Sequence, residues 1–324
     1  MTRRFSRPKH VLFALLLLFS FVSAVSAAEY PTKPINYIVP FAPGGDTDLS
    51  ARVWAEFASK ILGQPVIVIN KTGSGGALAT NFVATAAPDG YTMLAGGPGP
   101  NCLSMQLNKV DYTVDSFIPV ARIMVGQCGL FVAADSPWKT EKDFVADAKK
   151  NPGKYIFGAT GVASWPFFAG KQWANLAGVD VKWVQYQGSG PVVTGMLGKN
   201  IDISFGYSVA WASQAKAGTL RALAIDAPSP GNEWPGVSTF KDLGYQGNFT
   251  GWAGIFVPKG TDAAIVKKLA DTTQQLMNNP EYVQAMKNVN CVANYLGPED
   301  LKKEVDQQYK DLGKVVDELG MRAK

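Results

Sequence analysis

The chain has 324 residues, 47% of them hydrophobic and 18% charged, with a formal net charge of +5. The excess sits at the start: removing Arg3, Arg4, Arg7 and Lys9 leaves 27 basic residues against 26 acidic ones. A near-neutral body whose lysine pairs (Lys149-Lys150, Lys267-Lys268, Lys302-Lys303) read as solvated helix faces argues against nucleic acid or an anionic membrane as partner.

Residues 1–28 read as a secretory signal peptide: a basic start, an apolar run from Val11 to Val22, and the small residues Ser26-Ala-Ala28 at the cut. The run is well short of the roughly 20 residues a spanning helix needs. No Cys stands at the cut, so no lipid attachment is expected, and the trimmed protein is expected in the periplasm. Its length reaches the roughly 250–300 residues at which single cores stop growing, so two lobes are expected. Cys102, Cys128 and Cys291 allow at most one internal bridge. Cys102–Cys128 is the expected pairing, against the alternative of three buried thiols.

In chain order, a strand over 35–40 runs through Phe41-Ala-Pro-Gly-Gly45 into a helix over 48–62, which stops at Gly63. Leu49, Val53, Phe57 and Ile61 recur every four residues, so one helix face is buried. The first-turn N–H groups of such a helix lack intrahelical partners and carry partial positive charge, so the turn can hold an anion. A strand over 66–69 leads to a second such turn, Gly73-Ser-Gly-Gly-Ala77, and a helix over 77–86. Ala87-Pro-Asp-Gly90 is a turn, followed by a strand over 91–95 and the loop Gly96-Gly-Pro-Gly-Pro100.

A second set begins with a strand over 130–133. Thr140 and Asp143 form a capping-box pattern for a helix over 140–150. A strand over 155–158 ends in the loop 159–164, which contains Thr160 and Ser164, and a helix over 165–177 follows. A strand over 181–186 ends in Gln187-Gly-Ser-Gly-Pro191 and a short helix. Strand 201–206, helix 208–217 and strand 220–226 complete a βαβ run that implies a mainly parallel sheet. After a strand over 252–257, Thr261 or Asp262 can cap a helix over 262–278, and Pro280 and Pro298 open later helices. These helices are expected to pack on the first lobe. The glycine- and serine-rich loops all lie at carboxyl ends of strands, where they can line one cleft.

The chemistry is narrowed by what is missing. The only histidine is His10, inside the signal segment, so the mature chain has no Ser–His–Asp triad and no His-containing metal site. The cysteines are too scattered for zinc spacings, and no Ser-x-x-Lys stands beside a nucleophile turn. A dinucleotide fingerprint starting at Gly73 fails because Leu78 holds the place of its third glycine. Gly195 to Lys199 is too short for a P-loop. No catalytic residue, metal or cofactor is expected. Taken singly, Asp46, Thr47, Asp48 and Ser164 read as helix caps, and Tyr186, Trp165 and Tyr207 as core. The coincidence of five similar loops is what favours a cleft. For Asp46 the favoured reading is a helix cap; the others are a solvent-facing side chain or one facing a donor on the ligand.

Several motifs together resemble the Bug family, the extracytoplasmic solute-binding proteins of tripartite tricarboxylate transporters. They are Tyr30-Pro-Thr-Lys-Pro-Ile35, Val39-Pro-Phe-Ala-Pro-Gly-Gly45 with Thr47-Asp48 and Ala51-Arg52, Leu62-Gly-Gln-Pro-Val66, Gly75-Gly76 and Ala87-Pro-Asp-Gly-Tyr-Thr92. Further on come Asn151-Pro-Gly-Lys154, Tyr186-Gln-Gly188, Leu220-Arg-Ala-Leu-Ala224 and Phe256-Val-Pro-Lys-Gly-Thr261. The resemblance implies an α/β, two-lobed type II periplasmic binding protein fold, a Venus flytrap. One lobe would hold 29–126 plus 251–324 and the other 127–250. It implies a small carboxylate ligand (a di- or tricarboxylate, an acidic amino acid or an aromatic acid), delivery to membrane permease subunits, no catalysis, and a monomer. The first lobe's contacts would be Phe41, Gly44, Gly45, Asp46, Thr47, Asp48, Ser74, Gly75, Gly76 and Ala77. Thr160, Ser164, Tyr186, Gly188, Ser189 and Tyr207 would face them. Two positions depart from the family pattern: Asp46 replaces a small or uncharged residue, and Gly206-Tyr207 stands where an acidic residue is frequent. The competing readings are a periplasmic hydrolase or isomerase using Ser or Asp, and a sensor that docks on a membrane signalling partner.

Overall fold

Apolar strands alternating with amphipathic helices resolve into two sheets in the computed structural model, which describes residues 30–226, 234–247 and 249–323. The expected signal peptide at 1–28 lies outside the described residues. The chain begins with β1 (Ile35–Val39), α1 (Asp46–Leu62), β2 (Val66–Asn70), α2 (Ala77–Ala84), β3 (Thr92–Gly96), the short α3 (Ser104–Leu107) and β4 (Phe117–Gly126). It continues through β5 (Cys128–Ala133), α4 (Glu141–Lys150), β6 (Ile156–Thr160), α5 (Trp165–Ala177), β7 (Lys182–Tyr186), α6 (Ser189–Leu197), β8 (Ile203–Tyr207), α7 (Ser208–Lys216) and β9 (Leu220–Ile225). It closes with β10 (Gly251–Pro258), α8 (Ala263–Met277), α9 (Pro280–Asn288), β11 (Val292–Leu296) and α10 (Pro298–Glu318). One sheet has the order β11-β4-β10-β3-β1-β2 and the other β7-β6-β8-β5-β9.

The expectation of a mainly parallel sheet is corrected. β1 pairs in parallel with β2 and β3, and β6 with β7 and β8. β10 is antiparallel to β3 and β4, β11 to β4, and β5 to both β8 and β9. The reason lies in the crossings. Strands launched by βαβ units end at the cleft, whereas β5 and β10 arrive from the other sheet and start there. They must therefore run against their neighbours. β4, which no sequence pattern announces, runs almost directly into β5, with Gln127 alone between them.

The late helices do pack on the first sheet. Trp54 of α1 is fully buried, meets the Tyr37 ring edge-on at 5.5 Å, and donates its indole N–H to Thr273 of α8 at 3.1 Å. Truncating such a side chain costs roughly 3–5 kcal/mol. In the second lobe α5 lies on β6 and β8, and Phe131 stacks on Trp211 at 4.7 Å. Local capping follows the sequence. Thr140 and Asp143 form the reciprocal box, and Ser164 Oγ accepts from the Phe167 N–H at 3.3 Å. Asp262 caps α8, while the Thr261 hydroxyl donates to the Pro258 carbonyl.

The expected Cys102–Cys128 bridge is not formed. Both are free thiols, and Cys291 is likewise a buried thiol. The Cys102 sulfur faces the Val305 carbonyl at 3.7 Å, whereas the Cys128 sulfur faces the Gly126 carbonyl at 4.0 Å, so the two serve different packing sites. Among the described residues no helix is long and apolar enough to cross a membrane.

Candidate ligand-binding cleft

The turn after β1 is pinned from below. Gly44 takes φ +84°, a left-handed conformation that glycine adopts without steric cost. Its N–H donates to Asp48 Oδ2 at 2.9 Å. Asn70 Nδ2 donates to Asp48 Oδ1 at 2.8 Å and to the Phe41 carbonyl at 2.9 Å. Arg52 completes the set, with Nε 3.1 Å from Asp48 Oδ2 and a terminal nitrogen 2.9 Å from Oδ1. Asp48 is thus buried, saturated and neutralised, and holds the loop against β2.

Asp46 is different. The N-cap of α1 is Gly45, whose extended backbone (φ −88°, ψ 173°) fills that role without a side chain. The capping reading of Asp46 is therefore corrected: Asp46 is the first helical residue. It is only 6% exposed. The Thr47 hydroxyl donates to its Oδ2 at 3.1 Å, and the Ser189 hydroxyl, from the other lobe, donates to its Oδ1 at 3.3 Å. Desolvation by burial pushes its carboxyl up to about 6, outweighing the opposing hydrogen bonds from the Asp46 and Thr47 backbone N–H groups and from the Thr47 and Ser189 hydroxyls.

From the second lobe come Thr160, at the end of β6, Ser189, opening α6, and Tyr207, at the end of β8. Tyr207 packs where the chain crosses between lobes: a Cβ on Gly126 or Gly251 would collide with its ring. The Thr160 and Ser164 hydroxyls bond each other. These pieces enclose two adjoining cavities. One is lined by Phe41, Gly45–Asp48, Thr160, Pro166, Ser189 and Tyr207. The other shares Phe41, Thr47, Pro166 and Tyr207 and adds Ala95, Gly96–Pro100, Trp165 and Trp252.

The second glycine turn is not in that lining. A Cβ on Gly75 would sit 2.7 Å from the Ala163 N, and one on Gly161 would sit 2.8 Å from the Gly75 Cα. Ser74–Ala77 therefore forms the seam where the lobes touch beside the cavities. Gly76 packs against Pro40 and Phe41. Gly188 lies against Ala42, whose N–H donates to the Gln187 carbonyl at 3.2 Å, a second bond across the seam. Tyr186 turns away, with its hydroxyl beside Gly195 of α6. Ser164 caps α5 and touches the cavity only through Thr160. The candidate set lacked Trp252, Pro166 and the 96–100 loop. The loop carried a visible signal, its run of Gly and Pro at a strand end; Trp252, in a continuous apolar strand, carried none.

A family model described as "Tripartite tricarboxylate transporter family receptor" matches residues 50–321. The protein BugT of Bordetella pertussis is 31% identical over 306 residues, spanning 93% of both chains. The structure of the periplasmic binding protein BugD superposes with a TM-score of 0.86 at 29% identity, covering 91% of this chain and 100% of BugD. MatC from Rhodopseudomonas palustris, solved with bound malate, superposes with a TM-score of 0.83 at 27% identity, covering 89% of this chain and all of MatC. A two-sheet fold with a cleft between the sheets and a family match over most of its length place this chain in a known group: it belongs to the tripartite tricarboxylate transporter family of receptors, to which the Bug proteins belong.

Proposed function

We propose that this protein captures one small carboxylate in the cleft between its lobes, in the periplasm, and delivers it as a monomer to the membrane permease subunits of a tripartite tricarboxylate-type transporter. The observation that carries the reading is the meeting of the α1 N-terminal turn with Thr160, Ser189 and Tyr207 around one cavity. That lining supplies hydroxyls, helix-terminal N–H groups and the Asp46 carboxylate. Among the described residues lining both cavities none is Lys, Arg or His, so the anion would be held by dipoles. Hydrogen bonds to a charged group are worth roughly 1.5–3 kcal/mol each, and three or four suffice for micromolar binding, about −8 kcal/mol, after closure and desolvation. The malate bound by the related MatC is in keeping with such a ligand.

The test is calorimetric. Ligand-stripped protein should bind a di- or tricarboxylate and fail to bind the matching amide, which keeps the shape and loses the charge. Equal affinity for acid and amide would remove the carboxylate from the account.

A further inference from the structure

The cleft contains a negative charge that the capture of a simple anion does not need. Asp46 lies at the start of α1, where an incoming carboxylate would be expected to rest, and lines the cavity there. Its partners are all neutral: the Thr47 and Ser189 hydroxyls and the Asp46 and Thr47 backbone N–H groups. No salt bridge reaches it among the described residues, whereas its neighbour Asp48 is paired with Arg52. A buried carboxylate without a cation is costly, so a ligand bearing positive charge gains by supplying one.

The adjoining cavity points the same way. Its walls include four aromatic residues, Phe41, Trp165, Tyr207 and Trp252. Both indole N–H groups are directed elsewhere: Trp252 donates to Gln308 Oε1 at 2.9 Å and Trp165 to the Phe249 carbonyl at 3.4 Å. With those donors engaged, the walls offer a guest aromatic carbon rather than indole N–H groups, and the face of such a ring attracts cationic nitrogen.

We propose that the ligand carries a positively charged nitrogen as well as its carboxylate, with Asp46 as counter-ion and the aromatic walls around the nitrogen. The inference rests on the carboxylate reading above and names its ligand class: a zwitterion, either a primary ammonium acid or a quaternary ammonium acid. A primary ammonium would donate to Asp46; a quaternary one would sit among the rings with Asp46 nearby. Asp46 is then the residue that separates this receptor's ligand from a plain dicarboxylate.

The test uses matched probes on the ligand-stripped full chain, above the pH at which Asp46 ionises. Aspartate is set against succinate and malate, and glycine betaine against 3,3-dimethylbutanoate, which has the same shape without the charge. The cationic member of one pair should bind at least about tenfold tighter, and the pair concerned assigns primary or quaternary nitrogen. In Asp46→Asn that preference should fall by about tenfold or more. The wild-type ratio stands even where the variant folds poorly. Equal binding within the pairs, or binding only of acids without nitrogen, overturns the inference and leaves the carboxylate reading intact. Binding of no acid at all overturns both.

Discussion

The Ser189 hydroxyl donates to Asp46 Oδ1 at 3.3 Å, and this bond crosses the cleft. Each residue stands in the first turn of a helix from a different lobe, so closure brings the two helix N-termini to opposite sides of one buried carboxylate. The charge at the centre of the site thus belongs to the protein.

Asp46→Asn should stabilise the ligand-free protein near neutral pH. The folded-state carboxyl titrates at about 6 rather than 3.8, because burial disfavours the charged form. A raised pKa contributes stability that is complete below the unfolded value and is lost as pH rises through the folded one. Its buried neighbours Cys128 and Tyr207 are both pushed up by burial and stay neutral; Asp48 stays paired. Urea unfolding should show variant and wild type nearly equal at about pH 4, with the variant gaining up to about 3 kcal/mol by about pH 7. A difference that does not change with pH would contradict the burial argument.

Gly161→Ala should hold the lobes apart. Its Cβ would meet Gly75 at 2.8 Å across the seam, and Gly161 is not left-handed, so the strain arises only on closing. Ligand drives closure only through contacts made in the closed state. Affinity should fall by at least about tenfold, and small-angle scattering should show no contraction at saturation where the wild type contracts.

Gly45 tests the space between the lobes. An alanine Cβ there would lie 3.7 Å from Ser189, an ordinary contact, so Gly45→Ala should bind nearly as well as wild type. Valine adds methyls that reach the Asp46–Ser189 bond. Calorimetry should show Gly45→Val losing at least about tenfold in affinity, with thermal stability close to that of the alanine variant.

Asp48→Ala should unpin the loop. It would strand the Gly44 N–H and take one acceptor from the Asn70 amide and from the Arg52 guanidinium, which keep the Phe41 carbonyl and Asn70 Oδ1 respectively. Because Arg52 is about half exposed, the expected loss is that of the deprived loop donors, about 1–3 kcal/mol. Asp48→Asn, which can still accept from Gly44, should lose less in the same unfolding experiment.

The parts legible in the sequence are those fixed by local chemistry. The helix at 165–177 begins and ends where Ser164 and Gly178 dictate. The Pro-Gly-Gly turn and the loop after Thr160 lie at strand ends because Gly and Pro punctuate there. Strand direction was not legible, since no local signal marks β5 and β10 as strands arriving from the other sheet. β4 was missed because Pro119 interrupts it and its burial is nearly continuous, leaving no period to read. The role of Asp46 depended on one backbone angle: with Gly45 extended, the cap was already filled. The packing of Ser74–Ala77 against Gly161 depends on closure, a relation between lobes that no local motif encodes.

The most direct test of the central claim is native mass spectrometry of the ligand-stripped protein. It would be incubated with an equimolar mixture of mono-, di- and tricarboxylates, amino acids, betaines and the corresponding amides. The account predicts one retained adduct per chain, identified by fragmentation as a carboxylic acid and, if Asp46 acts as inferred, one that also contains nitrogen. A spectrum showing only bare protein, or amides retained as well as acids, would contradict it.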